Sequence, residues 1–323
     1  MKPRIVVSKC IEFEKVRYDG QIVSSDLVSM LKPYVEFIPV CPEVELGLGI
    51  PRDTLRLVLE KSELRLVQPK TNLDLTEKMQ SFVNSFLDFL PEVDGFILKS
   101  RSPTSALRDV KIYSSPKMDA RIISKGPGLF GREVILRFSN LAIEDEGRLL
   151  NPRIKEHFLT KLFTLANFRE IKSKKITEII DFHTRNKLLI KAYNQKESKI
   201  LGKIVANEDR RPLSGLVRSY EHHLFEALKR PPKCGSNLNV MMNVMGYFSK
   251  ALKKKEKSFF LDSLERYRQG ILPLSILKNM LRLWLIRFEE NYLLQQTFFE
   301  PYPKGLMDID AFTTYCDGKD FWK

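Results

Sequence analysis

The chain has 323 residues, is 43% hydrophobic and 29% charged, and carries a net charge of +14. Such a balance belongs to a folded globular protein, and the length implies two domains rather than a single core. No apolar run approaches the roughly 20 residues a bilayer-spanning helix needs, and the four scattered cysteines, Cys10, Cys41, Cys234 and Cys316, exclude a disulfide framework.

The opening stretch MKPRIVVSKC is basic but runs straight into the strand signal RIVVS (4–8) with no small-residue cleavage site. No secretory leader is expected, and a cytoplasmic location is. SSDLVSMLKPY (24–34) offers Ser24, Ser25 and Asp26 as helix caps, and VEFIPV (35–40) reads as a strand. Two alternating runs around a polar turn occupy 55–69. A helix is predicted over 71–90 from the spacing of Phe82, Phe86, Leu87 and Leu90, with Pro91 as its stop. DGFIL (94–98) is the next strand. This rhythm predicts an α/β domain over 1–145, Rossmann-like, with a parallel or mixed sheet.

In such sheets the loops leaving the C-terminal ends of the strands build the site. Here they read SKC after the first strand, CPE after the second and KSRSPTSA after 94–98. The last is a run of hydroxyls, Ser100, Ser102, Thr104 and Ser105, without a His, Cys or carboxylate. Asp19-Gly20 and GLGIP (47–51) read as turns, the latter lacking the ending of a phosphate loop, and GPGLFG (126–131) reads as a turn cluster. His157, His183, His222 and His223 show no metal-ligand spacing.

From about residue 144 the pattern is helical, with long stretches at 177–207, 239–270 and 272–299, predicting an all-α helical-bundle domain over 146–323. The charge divides unevenly. Residues 1–150 hold 22 Lys and Arg against 21 Asp and Glu, whereas 151–323 hold 32 against 19. A basic run is ordinarily a solvated helix face, but an excess concentrated in one domain suits a polyanion. Lys172, Lys174, Lys175, Arg185, Lys187, Lys191, Arg210, Arg211, Arg218, Lys253, Lys254 and Lys255 are the candidates for tracking RNA phosphates. Phe182, Tyr220 and Tyr247 either fill the core or stack bases. No base-reading module is recognisable, so shape and phosphate recognition is expected.

Taken together, VSKC with RYDG downstream, CPEVELGLGIPR and ILKSRSPTSALRDVKIY resemble the motifs of the thiouracil desulfurase (TudS-like) family. NVMMNVMGYFSK, RYRQGILPLSILKNML and YLLQQTFFEPYPKGL resemble the YbgA-type domain. The fused order is similar to that of the RudS-type desulfidases, which remove sulfur from 4-thiouridine in transfer RNA. The resemblance implies a [4Fe–4S] cluster held by three cysteines with one iron left open to the thiocarbonyl sulfur, and transfer RNA as partner; the absence of a long apolar run predicts no membrane partner. It assigns Cys10 and Cys41 as ligands, Glu43 as the acid–base group, and Thr104 to a position where the family has serine. Arg52 and Lys99 would steer phosphate or neutralise the cluster. Cys234 and Cys316 are not expected as ligands.

The third ligand position holds Ser105. An alkoxide is harder and more basic than a thiolate and holds iron–sulfur clusters poorly. Three readings stay open: a Cys-to-Ser form of an active desulfidase, a natural variant with a labile or altered cluster, and an RNA-binding homologue that no longer desulfurates. A desulfurase of free thiopyrimidines is a further alternative, and the oligomeric state is open.

Overall fold

A computed structural model describes residues 2–208 and 210–307, so Cys316 lies outside the described residues. The chain divides into two compact units, one running to Ala166 and taking in the stretch from Pro303, the other spanning Asn167–Tyr302.

The strands of the first unit, in chain order, are β1 (Arg4–Ser8), β2 (Glu36–Val40), β3 (Arg56–Glu60), β4 (Glu63–Gln68), β5 (Leu73–Asp74), β6 (Gly95–Leu98), β7 (Val110–Tyr113), β8 (Ile122–Gly126) and β9 (Ala142–Asp145). Its helices are α1 (Asp26–Leu31), α2 (Pro42–Glu45), α3 (Thr76–Asp88), α4 (Leu129–Phe138) and the start of α5 (Pro152–Ile171). The strands form two sheets. One is parallel throughout, in the order β2-β1-β6-β9. The other is mixed, in the order β5-β4-β3-β7-β8.

The residue patterns account for this split. β1 and β6 are buried along almost their whole length, as continuous apolar runs in a doubly covered parallel sheet are. The alternating runs at 55–69 form the antiparallel β3–β4 hairpin, whose turn residues Lys61 and Ser62 have φ of +49° and +70°, the twist a two-residue hairpin favours. One core, including Val6, Leu57, Met79, Phe96 and Phe130, joins both sheets to α3 and α4. At Gly95 a Cβ would lie 2.6 Å from the Ala142 carbonyl and 3.0 Å from Leu162, so glycine is what lets α5 lie close on the parallel sheet.

Two readings change. The helix predicted from 71 starts at Thr76, because Leu73–Asp74 pair with β4 and the Thr76 hydroxyl accepts from the Leu66 amide at 2.8 Å. GPGLFG is not a turn cluster throughout: Gly126 ends β8, Gly128 precedes α4, and Leu129–Gly131 are helical.

In the second unit α6 (Ile176–Tyr193), α7 (Gln195–Ala206), α8 (Leu213–Ala227), α9 (Cys234–Tyr247), α10 (Lys254–Arg268), α11 (Leu274–Arg287) and α12 (Asn291–Leu294) form the expected all-α architecture. The stretch at 177–207 breaks at Asn194, whose side chain accepts from the amides of Lys196 and Glu197 and so starts α7. The stretch at 239–270 breaks after Tyr247, where Phe248 and Leu252 turn inward. No helix among the described residues is long and apolar enough to cross a membrane.

Phe182 and Tyr220 lie in this core, packed with Phe168. The Tyr220 hydroxyl lies 3.0 Å from Nδ1 of the buried His183. Burial, and then Lys187, push His183 down to about 4. The unfolded chain protonates this group first, so its contribution is full above the ordinary value near 6.5 and is lost as pH falls towards 4. Wild type is expected to lose about 2 kcal/mol more than His183→Gln between pH 7 and pH 4.5 in chemical denaturation. Equal losses in the two proteins would refute it.

Candidate active site

The order β2-β1-β6 sets three loops side by side at the C-terminal end of the parallel sheet. They are tied there: the Lys9 amide donates to the Val40 carbonyl at 2.8 Å, and the Lys99 amide to the Ser8 hydroxyl at 2.9 Å. Cys10 follows β1. Cys41 follows β2 and precedes Pro42, whose fixed φ opens the single turn of α2 that carries Glu43. The hydroxyl loop follows β6.

Glu43 is the meeting point. Its Oε1 accepts from the Thr104 hydroxyl at 2.6 Å and the Ser102 hydroxyl at 3.3 Å, and its Oε2 accepts from the Cys41 thiol at 3.3 Å. Arg52, its side chain 8% exposed, places Nη2 4.0 Å from the same Oε2 and 3.9 Å from the Cys41 sulfur, while Nη1 donates to the Val16 carbonyl at 2.9 Å. Ser105 is buried, with its hydroxyl 3.3 Å from that of Thr104. The structure thus brings Cys41, Glu43, Thr104 and Ser105 into one bonded group. Cys10 joins it electrostatically: burial first, then Glu43, push its thiol up to about 11, with Lys99 opposing. Burial and Glu43 likewise push Cys41 up to about 12. Both sulfurs therefore hold their protons in this site, and thiolate formation there needs a cation to replace them.

The roles of four further residues were not legible from the sequence. Ser102 organises the loop, its oxygen accepting from the amides of Thr104 at 3.3 Å and Ser105 at 3.1 Å. Glu146, after β9, binds the Lys99 ammonium and accepts from the Ser100 amide at 2.8 Å and hydroxyl at 2.7 Å. Gly128 and Gly131 donate backbone N–H groups to the carbonyls of Ala106 at 2.8 Å and Thr104 at 3.0 Å, which docks the loop on α4. The three-residue spacing of those two glycines, one just before α4 and one in its first turn, was the available signal.

The basic candidates spread over the second unit. Lys172 pairs with Glu221 at 3.1 Å and Arg185 with Asp181 at 2.9 Å, so these two charges are locally answered. Lys191 is half-buried, and Arg218 reaches back to the Ser214 carbonyl at 3.4 Å. Lys174, Lys175, Lys187, Arg210, Arg211, Lys253, Lys254 and Lys255 are exposed, the last three around the start of α10. Tyr247 is exposed, unlike Phe182 and Tyr220. Cys234 is exposed at the start of α9, away from the α/β unit's loops in the chain.

The family described as 2-thiouracil desulfurase matches residues 5–146, and a family described as a protein of unknown function (DUF1722) matches residues 187–303. "Uncharacterized protein YbgA" of Escherichia coli (strain K12) is 26% identical over 155 residues, which is 47% of this chain and 92% of that protein. The solved structure of a "[4Fe-4S]-dependent thiouracil desulfidase TudS" is 26% identical, with 46% of this chain and 94% of that one covered and a TM-score of 0.35. The loops carrying Cys10, Cys41, Glu43, Thr104 and Ser105 all fall inside the first match, and the helices from Lys187 onward inside the second. Residues 5–146 are thus a TudS-like domain of the 2-thiouracil desulfurase enzyme family, fused to a YbgA-type domain over residues 187–303.

Proposed function

We propose that this chain recognises 4-thiouridine in transfer RNA through a desulfidase site that Ser105 leaves one ligand short of holding its iron–sulfur cluster. The observation that supports it is the convergence of Cys41, Ser102 and Thr104 on the Glu43 carboxylate. A [4Fe–4S] cluster bound through three thiolates does not fit the donor set present. Cys10 and Cys41 supply two sulfurs, the third position is a buried alcohol bonded to Thr104, and no group of three His, Cys, Asp or Glu side chains gathers among the described residues.

What the chain's own residues supply is proton handling. Exchange of a thiocarbonyl sulfur for water oxygen requires a proton to leave the water and one to reach the pyrimidine or the departing sulfur. Glu43 can do both, since a carboxylate in hydrogen-bond contact with a threonine hydroxyl can take a proton and return it. Arg52 sets a positive charge beside it.

The basic second unit is the support for transfer RNA as the carrier of the base. The test is binding of thiolated transfer RNA, unmodified transfer RNA and free 4-thiouracil at low and physiological salt. Thiolated transfer RNA is expected to bind most tightly, with log Kd changing against log salt by about 0.9 per phosphate neutralised. Binding of free 4-thiouracil with no affinity for either RNA would overturn the reading in favour of a free thiopyrimidine.

A further inference from the structure

One end of the second unit gathers three elements. Phe248, just past α9, is buried, stacks on Phe288 with ring centroids 5.4 Å apart, and meets Trp284 edge-on at 6.4 Å. Trp284 in turn packs on Phe260 of α10 at 5.1 Å. Arg287 at the end of α11 pairs with Glu256 in the first turn of α10 at 2.7 Å, and Glu256 also accepts from the Lys253 amide at 2.7 Å. These contacts fix the C-terminal end of α9, the start of α10 and the end of α11 as one rigid corner.

The corner's outer surface is not that of an ordinary solvated helix end. Tyr247 is 59% exposed, although its chain neighbour Phe248 is almost wholly buried. Tyr292, at 36% exposure, has its phenol pushed up by burial first and then by the nearby Tyr247. Lys250, Lys253, Lys254 and Lys255 follow Tyr247 within eight residues of chain, at the turn from α9 into α10, and all are exposed and without an ion pair among the described residues. Of the nearby acids, Glu256 is occupied by Arg287 and by the Lys253 amide, and Glu289 and Glu290 follow α11 in the chain. Placing lysines at the positive end of α10 is unfavourable by itself, since helix N-termini prefer anions. Exposed tyrosines interleaved with such lysines have a known physical use: rings take up unpaired bases and ammonium groups follow the phosphates.

We propose that the corner formed by Tyr247, Tyr292, Lys250 and Lys253–Lys255 is the surface on which this unit stacks unpaired nucleotides of an RNA. The inference rests on the reading that the chain binds RNA, and it locates that binding at one corner of the helical unit. A flat apolar patch for another protein would not need the lysines, and a purely electrostatic duplex groove would not need the rings.

The experiment uses the full chain with a uridine-rich single-stranded oligoribonucleotide and bulk transfer RNA as probes. Tyr247→Ala is expected to weaken binding by at least about 10-fold with the salt slope unchanged. Tyr247→Trp is expected to keep it. Lys253→Gln, Lys254→Gln and Lys255→Gln together are expected to lower the salt slope by about 2, at about 0.7 per phosphate on a single strand. The pair Lys174→Gln and Lys175→Gln, outside the corner, is expected to change affinity less than the triple variant.

If wild type binds RNA and the Tyr247 and triple-lysine variants bind equally well, the corner is overturned while the RNA reading survives. If wild type binds neither probe, both fall. If Tyr247→Ala instead abolishes self-association in sedimentation and leaves RNA binding intact, the corner is an interface between copies of the chain and the inference is wrong.

Discussion

Ser105→Cys is expected to take up iron and sulfide on anaerobic reconstitution, to gain broad visible absorption, and to release sulfide from thiolated transfer RNA at least about 10³-fold faster than the parent chain. The geometry is favourable because little but the side chain changes. The loop is held by its backbone and by Ser102: the amides of Thr104 and Ser105 donate to the Ser102 oxygen, and the carbonyls of Thr104 and Ala106 accept from Gly131 and Gly128. Ser105 itself contributes a hydroxyl contact of 3.3 Å to Thr104, whose loss costs about 1 kcal/mol at most. In exchange the third position gains a sulfur, the donor that thiophilic iron requires beside Cys10 and Cys41. Adding Glu43→Gln to the cysteine form is expected to retain the visible absorption and to lower sulfide release by about 10²- to 10⁴-fold, because it removes the proton carrier and leaves the sulfurs in place. Absence of iron from the Ser105→Cys protein, with unchanged circular dichroism, would mean that more than one ligand has been lost and that the site no longer belongs to a desulfidase.

The parts that were legible in the sequence are those whose signal is local. β1, β2 and β6 are apolar runs, and the rule that sites form at the C-terminal ends of parallel strands brings CPE and SPTS together from the sequence alone. The convergence on Glu43 follows from that rule. What could not be read was long-range. β7 and β8 are short and complete a second sheet through a parallel pairing of β3 with β7, which no nearby residue specifies. Glu146 sits in a fourth loop whose role depends on β9 lying beside β6, a pairing that the helical look of the sequence after residue 144 conceals. Along the helices, 177–207 and 239–270 showed the right period but hid their breaks, because Asn194 interrupts the first without a glycine or proline and Gly246 lies inside α9 rather than after it. Tyr247 and Tyr220 look alike as aromatic residues on helices, and their opposite burial is decided by which face each helix turns to its neighbours.

Gly131→Ala is expected to destabilise the α/β unit by about 3 kcal/mol, the upper part of the range for an overpacked site. The sign is informative, because in an exposed helix the same change stabilises by up to about 1 kcal/mol. Here the added Cβ would stand 2.3 Å from the Ala106 carbonyl oxygen and 2.7 Å from that of Ser105. Both are backbone atoms, so no flexible side chain can yield, and the loop that carries Thr104 and Ser105 has to move. Gly128→Ala meets the Thr104 carbonyl at 2.4 Å and is expected to behave alike. Gly235→Ala serves as the reference: it lies in the first turn of α9 with no neighbour within 4 Å of the new methyl group, and no loss is expected. In the Ser105→Cys background Gly131→Ala is expected to reduce sulfide release by about 100-fold beyond any loss of folded protein, since a displacement of about 1 Å misaligns the groups meeting at Glu43. Denaturant midpoints and single-turnover sulfide release measure the two effects separately. Equal stability of Gly131→Ala and Gly235→Ala would show that the loop is not seated on α4. Instability without an excess loss of activity would show that the seating matters for folding and not for the placement of residues 104 and 105.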